Sequence, residues 1–211
     1  MKTLIIGANG KIGQRLIDKL VQTGHEVRAM IRSDDQRQAL EEMGAEVVLG
    51  DLEAEFEPAL NNCDALVFTA GSGSKTGADK TILIDMWGAI KTIKACEEAG
   101  VKRYIMVSSR DAGDPDHGSP AIRHYNVAKH IADEYLLRST LDYTILRPGQ
   151  LTDPAGTGLV QTVRPAQEMQ TITRDDVVEA IMICLDEKST IGKIVELYQG
   201  NTPVKDALLA H

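Results

Sequence analysis

Aromatic side chains are scarce in this chain, with one Trp, five Tyr and two Phe among 211 residues. So few rings argue against a broad aromatic cleft for a large planar ligand. Cysteine is scarce as well. Cys63, Cys96 and Cys184 are odd in number and far apart, which excludes a disulfide framework and fits reduced thiols buried as small residues. Basic charge is in deficit, with 23 Lys and Arg against 31 Asp and Glu. A net charge of −8 leaves no electrostatic footprint for a nucleic-acid backbone. No apolar run nears the roughly 18–20 residues that span a bilayer. The apolar start at Leu4-Ile5-Ile6 is too short for a signal peptide and reads as a strand. No histidine–carboxylate spacing suggests a metal. These absences lead us to expect a cytoplasmic protein, monomer or homodimer, that takes a small-molecule substrate and meets neither nucleic acid nor membrane. Apolar residues make up 43% and charged residues 26%, a globular balance. The length suits one domain over 1–211.

Short apolar runs alternate with longer helical patterns. Apolar runs at 3–6, 26–31, 45–49, 65–69, 103–108 and 143–146 read as six strands. Between them, helices are expected over about 12–23, 34–43, 54–60, 79–99 and 120–139. Ser33 or Asp34 serves as an N-cap, and Gly24, Gly44 and Gly100 as C-terminal stops. Strands alternating with helices mean parallel βαβ units, and runs such as Ile105-Met106-Val107 suit strands covered on both faces. A doubly wound α/β sheet follows, of strand order 3-2-1-4-5-6. Residues 150–211 offer a strand at 171–173, a helix at 175–185, a strand at 194–198 and a short helix after Pro203. That stretch is expected to form a small cap on the substrate side. Asp175-Asp176 reads as the start of a helix, not as a catalytic pair.

Two segments carry chemistry. The first, Gly7-Ala8-Asn9-Gly10-Lys11-Ile12-Gly13, follows the first strand and opens the first helix. One glycine permits the tight turn, the next lets backbone approach a pyrophosphate, and the third lets helix and strand pack closely. The helix start then offers free N–H groups to phosphate. At the end of the second strand stands Arg32, followed by Ser33, where a carboxylate would instead mark NAD. An arginine suits a 2′-phosphate and so favours NADP over NAD, with Arg28 and Arg37 near enough to help. Asp34 and Asp35 are the counter-argument. Asp51 either contacts the adenine or caps the next turn.

The second segment holds Tyr125 and Lys129, four apart on a helical pattern and therefore on one face. A nearby ammonium would lower the phenol from about 10 toward neutral pH and equip it for proton transfer. Lys129 could also hold the nicotinamide ribose. Ser108 and Ser109 end the fifth strand, where a hydroxyl could hydrogen-bond a substrate carbonyl.

With these pieces in place the chain resembles the short-chain dehydrogenase/reductase superfamily, in its atypical, epimerase/dehydratase-like branch. The resemblance rests on GANGKIG at 7–13, the glycine-rich turn after strand four, VSS at 107–109, YNVAK at 125–129 and LRPGQLTD at 146–153. It implies a Rossmann fold with NAD(P) across the ends of strands one and four. Gly7, Asn9, Gly10, Lys11, Ile12 and Gly13 would hold the pyrophosphate. Arg32 and Ser33 would take the adenosine phosphate, and Asp51 and Leu52 the adenine. Thr69, Ala70 and Gly71 would line the cleft, and Pro148, Gly149 and Leu151 would face the nicotinamide. Ser108, Tyr125 and Lys129 would be catalytic. The short C-terminal part departs from the sugar-nucleotide epimerases, which carry a large lobe there. The 17 residues from Ser108 to Tyr125 are also more than compact dehydrogenases have.

Several functions fit this pattern. One is an NADP(H)-dependent oxidoreductase acting on a small carbonyl or alcohol, with Tyr125 moving the proton. A second is a regulator that senses NAD(P) without turnover. Others are an epimerase or dehydratase, and a flavin or biliverdin reductase. Substrate contacts would come from loops 71–78, 110–120 and 150–168.

Overall fold

The computed structural model describes residues 1–73, 76–166 and 170–210. The expected Ser74 and Lys75 of the glycine-rich turn, and residues 167–168 of the substrate loop, lie outside the described residues. The chain opens with β1 (Lys2–Ile6), α1 (Lys11–Gln22), β2 (Glu26–Ile31), α2 (Arg37–Glu42), β3 (Glu46–Leu49) and β4 (Ala65–Phe68). A long helix follows: α3 (Ala78–Lys80) runs into a π-helical stretch, Thr81–Gly88, and continues as α4 (Ala89–Ala99). Next come β5 (Arg103–Val107), α5 (Arg123–Leu137), β6 (Asp142–Pro148), β7 (Gln150–Thr152), β8 (Leu159–Gln161) and β9 (Thr171–Thr173). The chain closes with α6 (Arg174–Asp186), β10 (Lys193–Gln199), β11 (Thr202–Pro203) and α7 (Val204–Leu209).

The main sheet has the order β11-β8-β10-β6-β5-β4-β1-β2-β3. From β3 to β10 every neighbouring pair is parallel, and the 3-2-1-4-5-6 order stands inside it. This is a doubly wound Rossmann sheet. Of the stretch expected as a cap, β10 adds a seventh parallel strand and β8 and β11 pair antiparallel beyond it. Strands β7 and β9 form a separate two-stranded ladder.

Both faces are covered, as the continuous apolar runs demand. Ile5, Val67 and Ile105 face one layer together with Leu16 and Leu20 of α1 and Val177 and Ile181 of α6. Leu4, Leu66 and Met106 face the other, against Ile93 of α4 and Leu136 of α5. The alternation along each strand assigns its residues to the two layers. Local departures from expectation have local causes. Pro58 begins a 3-10 turn at Glu57–Leu60 where a short helix was expected, because proline suits a helix start and not its interior. Pro120 does the same ahead of α5. Thr173 caps α6 by accepting from the Asp176 N–H, so Asp175-Asp176 is a helix start. Among the described residues no helix is long and apolar enough to cross a membrane.

Candidate functional site

A cavity of about 330 Å³ opens at the C-terminal ends of β1, β2 and β4. Its walls include Gly7, Asn9, Gly10, Arg32, Leu52, Thr69, Ala70 and Gly71, all expected from the sequence. Ser72 and Thr76 of the loop expected at 71–78 line it too, whereas sequence reasoning missed Met30, Gln36, Lys80 and Ile84. Gln36 and Lys80 sit within short helical turns and carry no motif that would have marked them.

The glycines act as their spacing required. Gly7 has φ +90°, and a methyl on it would stand 2.6 Å from the Ala70 nitrogen. A methyl on Gly13 would meet the Ala8 carbonyl oxygen at 2.6 Å, so only glycine lets α1 lie this close to the end of β1. The first turn of α1 has no acidic residue, and its leading N–H groups are left for an anion. A cradle of backbone donors that any Cβ would block fits the diphosphate of a dinucleotide. Two motif residues turn elsewhere. Ile12 packs in the core, so only its backbone serves the loop. Lys11 is exposed and ion-paired to Asp153 at 2.7 Å.

At the adenosine end Arg32 is exposed and has no hydrogen-bond or ion-pair partner among the described residues. Its neighbours are committed. Arg28 is buried, paired with Glu46 at 2.7 Å and bonded to the Ala59 carbonyl at 3.0 Å. Arg37 holds Asp34 at 2.7 Å and the Val47 carbonyl at 3.1 Å. The expected help from Arg28 and Arg37 therefore falls away, and so does most of the objection raised by Asp34. Ser33 is exposed beside Arg32. Asp51 accepts from the Glu53 N–H at 2.9 Å, which makes it a turn cap.

The expected catalytic trio lies along α5 and the end of β5, and here the electrostatics differ from expectation. Lys129 is 1% exposed, and its ammonium donates to the Val107 carbonyl at 2.9 Å rather than to Tyr125. It also stands over the Phe68 ring. Burial lowers its proton affinity, against the pull of Asp85 and Asp133. Tyr125 is half-buried, and its hydroxyl has no hydrogen-bond partner among the described residues. Burial pushes its phenol up, and the carboxylates of Asp85 and Asp133 push the same way. The expected drop toward neutral pH is thus reversed, because burial and then two carboxylates act on the phenol while the ammonium is held at the strand end. Ser108 is 4% exposed and donates to Asp133 at 2.8 Å. It faces α5, so the expected contact with a substrate carbonyl is not one this arrangement offers. Ser109, half-buried, donates to the Asn126 side chain at 3.2 Å.

The sequence did not reveal Asp85 and Asp133. Asp133 continues the Tyr125–Lys129 face by another four residues, a spacing that could have marked it. Asp85 lies in the π-helical stretch, and no sequence period forecasts that winding. Pro148, Gly149 and Leu151 lie at the turn from β6 to β7 and do not line the cavity. Gly149 is needed there: a methyl would stand 2.9 Å from the Tyr198 ring. Leu151 packs against the core.

The family model for NAD(P)H-binding proteins matches residues 7–188. The chain belongs to the NAD(P)H-binding family. It is similar to the uncharacterised sugar epimerase YhfK of Bacillus subtilis, with 46% identity over 99% of each chain. A solved structure from Bacillus halodurans, assigned as an NAD-dependent epimerase/dehydratase, is 47% identical over 100% of both chains, with a TM-score of 0.96. The anaerobillin reductase ChuY of Escherichia coli O157:H7 is 27% identical over 94% of this chain and 97% of its own, with a TM-score of 0.79. The family accounts for a cradle that suits a nicotinamide dinucleotide.

Proposed function

We propose that this NAD(P)H-binding protein is an NADP(H)-dependent oxidoreductase that reduces a small carbonyl or quinone-like substrate. One observation carries the reading. Tyr125 has a hydroxyl without a partner, held protonated, four residues from Lys129 on one helix face. The bound nicotinamide supplies the hydride. Tyr125, which carries its proton at neutral pH, then gives that proton to the substrate oxygen. Lys129 orients the ribose, and Arg32 with Ser33 takes the 2′-phosphate. The core strands exclude water behind the cleft.

Support for NADP over NAD comes from Arg32, an unengaged cation in the cavity wall where NAD would call for a carboxylate. The sensing alternative draws on a different observation, that Ser108 and Lys129 are both engaged by protein groups. Thermal unfolding with saturating NADPH and with NADH tests the cofactor. Binding at about 100 times the dissociation constant adds roughly 2.7 kcal/mol to the folded state. A larger shift with NADPH supports Arg32 as the phosphate reader, and a larger one with NADH overturns it. Oxidation of NADPH by a panel of carbonyls and quinones then tests turnover. Binding without oxidation of NADPH by any of them favours the sensor.

A further inference from the structure

Asp85 is 1% exposed, yet one of its two carboxylate oxygens is unanswered. Oδ2 accepts from the Ser72 N–H at 2.9 Å, while Oδ1 has no hydrogen-bond partner. Among the described residues Asp85 has no ion-pair partner. The cation that feels its field, Lys129, spends its hydrogen bond on Val107. Asp133 also keeps one free oxygen, but Arg147 and Ser108 answer the other at 3.0 and 2.8 Å. Asp85 has only a backbone amide.

Its position is informative. A methyl built on Gly71 would stand 3.1 Å from Oδ1. Gly71, Ser72 and Ile84 all line the cleft. The free oxygen therefore stands directly behind the cleft wall, at a place where the wall has no side chain. The π winding of Thr81–Gly88 places Asp85 there, and such windings occur often at functional sites. A buried carboxylate without a cation is costly unless a positive group visits it. The family's ligand brings one: the oxidised nicotinamide ring carries a positive charge and the reduced ring none.

We propose that Asp85 is a tuning residue that favours the oxidised over the reduced nicotinamide in the cleft, behind the Gly71 wall. The inference rests on the nicotinamide reading above. The bias makes bound NADPH a readier hydride donor, which serves a reductase. Asp85 touches no reacting atom in this arrangement and acts through its field.

Separate titrations of NADP+ and NADPH onto the full chain test it, with the wild type and Asp85→Asn. Asparagine can keep the acceptor for the Ser72 N–H while removing the charge. A unit charge several ångströms away at an effective dielectric near 20 is worth about tenfold or more in affinity. The variant should lose about that factor for NADP+ relative to NADPH. Equal weakening of both, or no change in their ratio, overturns the inference. Should the variant fail to fold, the wild type still decides: NADP+ is expected to bind more tightly than NADPH, and the reverse order overturns the proposal. Failure of the wild type to bind either nucleotide overturns the cofactor reading itself, a result distinct from an unmoved ratio.

Discussion

Ser108 donates its hydroxyl to Asp133 Oδ2 over 2.8 Å, across 25 residues of sequence and between the end of β5 and the middle of α5. Arg147 of β6 donates to the same oxygen at 3.0 Å. Asp133 is fully buried, and burial pushes its carboxyl up while Arg147, Lys129 and Ser108 pull it back toward the charged form. The three residues pin α5 to two strands and so fix the face that carries Tyr125 and Lys129.

Removing the carboxylate should cost more than removing the hydroxyl. Asp133→Ala leaves the Arg147 charge without its partner, and loss of about 3–5 kcal/mol is expected in urea unfolding. Ser108→Ala removes one bond to a charged group and should cost about 1–3 kcal/mol. NADPH affinity in the serine variant should stay within about twofold of wild type. A serine variant of full stability that loses turnover would return Ser108 to direct contact with substrate.

Gly13 is the tightest of the three loop glycines, its absent methyl facing the Gly7 carbonyl oxygen most closely and the Ala8 carbonyl oxygen at 2.6 Å. Gly13→Ala must lift α1 from β1, and overpacking of this kind costs about 1–3 kcal/mol. The cradle of N–H groups moves with the helix. The thermal shift given by NADPH should therefore fall by more than the loss of stability alone explains. An unchanged shift would place the diphosphate elsewhere.

The sheet order was legible because each strand is a buried apolar run between glycine or proline stops, and parallel βαβ units leave few closures. The phosphate loop was legible because glycines are read directly from sequence and their demands are steric. The Tyr125–Lys129 pairing on one helix face was legible for the same geometric reason. The chemistry of that face was not. Whether Lys129 lowers the phenol depends on where its ammonium goes, and Val107 and the carboxylate of Asp85 come from other elements, while the burial of Asp133 on the same helix is set by its packing against the strands. Long-range pairings of this sort, such as Lys11 with Asp153 across 142 residues, leave no trace in spacing. The extension of the sheet by β10 was not legible because a seven-residue strand does not declare its neighbour.

Stability should fall in alkali. Burial pushes the Cys184 thiol up to about 11, and it raises Cys96, Tyr104 and Tyr125 as well. The folded state keeps these protons after the unfolded chain has released them, so the unfolded state binds fewer protons and stability drops as pH rises. The contribution is whole below the unfolded thiol value of about 8.5 and is lost as pH climbs through the folded values. Cys184 alone accounts for about 3–4 kcal/mol between these limits. Urea midpoints from pH 7 to 11 check this, and a flat profile would show that the thiols are open to water.

Arg32 should decide between the two dinucleotides. It stands exposed in the cavity wall without a partner. A charge-assisted bond to a 2′-phosphate is worth about 1.5–3 kcal/mol, so Arg32→Ala should weaken NADPH by about 10–100-fold and leave NADH nearly unchanged. Loss of both together would make Arg32 a structural residue, and loss of NADH alone would reverse the assignment.

Tyr125→Phe separates chemistry from binding. The hydroxyl has no hydrogen-bond partner among the described residues, so its removal leaves no packed polar group stranded, and stability should change little. Loss of a positioned proton donor costs about 10²–10⁴ in rate, so NADPH oxidation by a reducible substrate should fall by that much while NADPH affinity holds. The phenol lies above its ordinary value, so the wild-type reduction rate should carry no tyrosine ionisation between pH 7 and about 9. A limb titrating near neutrality that vanishes in the phenylalanine variant would show that substrate or cofactor binding lowers the phenol after all. Full turnover in the variant would move the proton source to another group at the cleft.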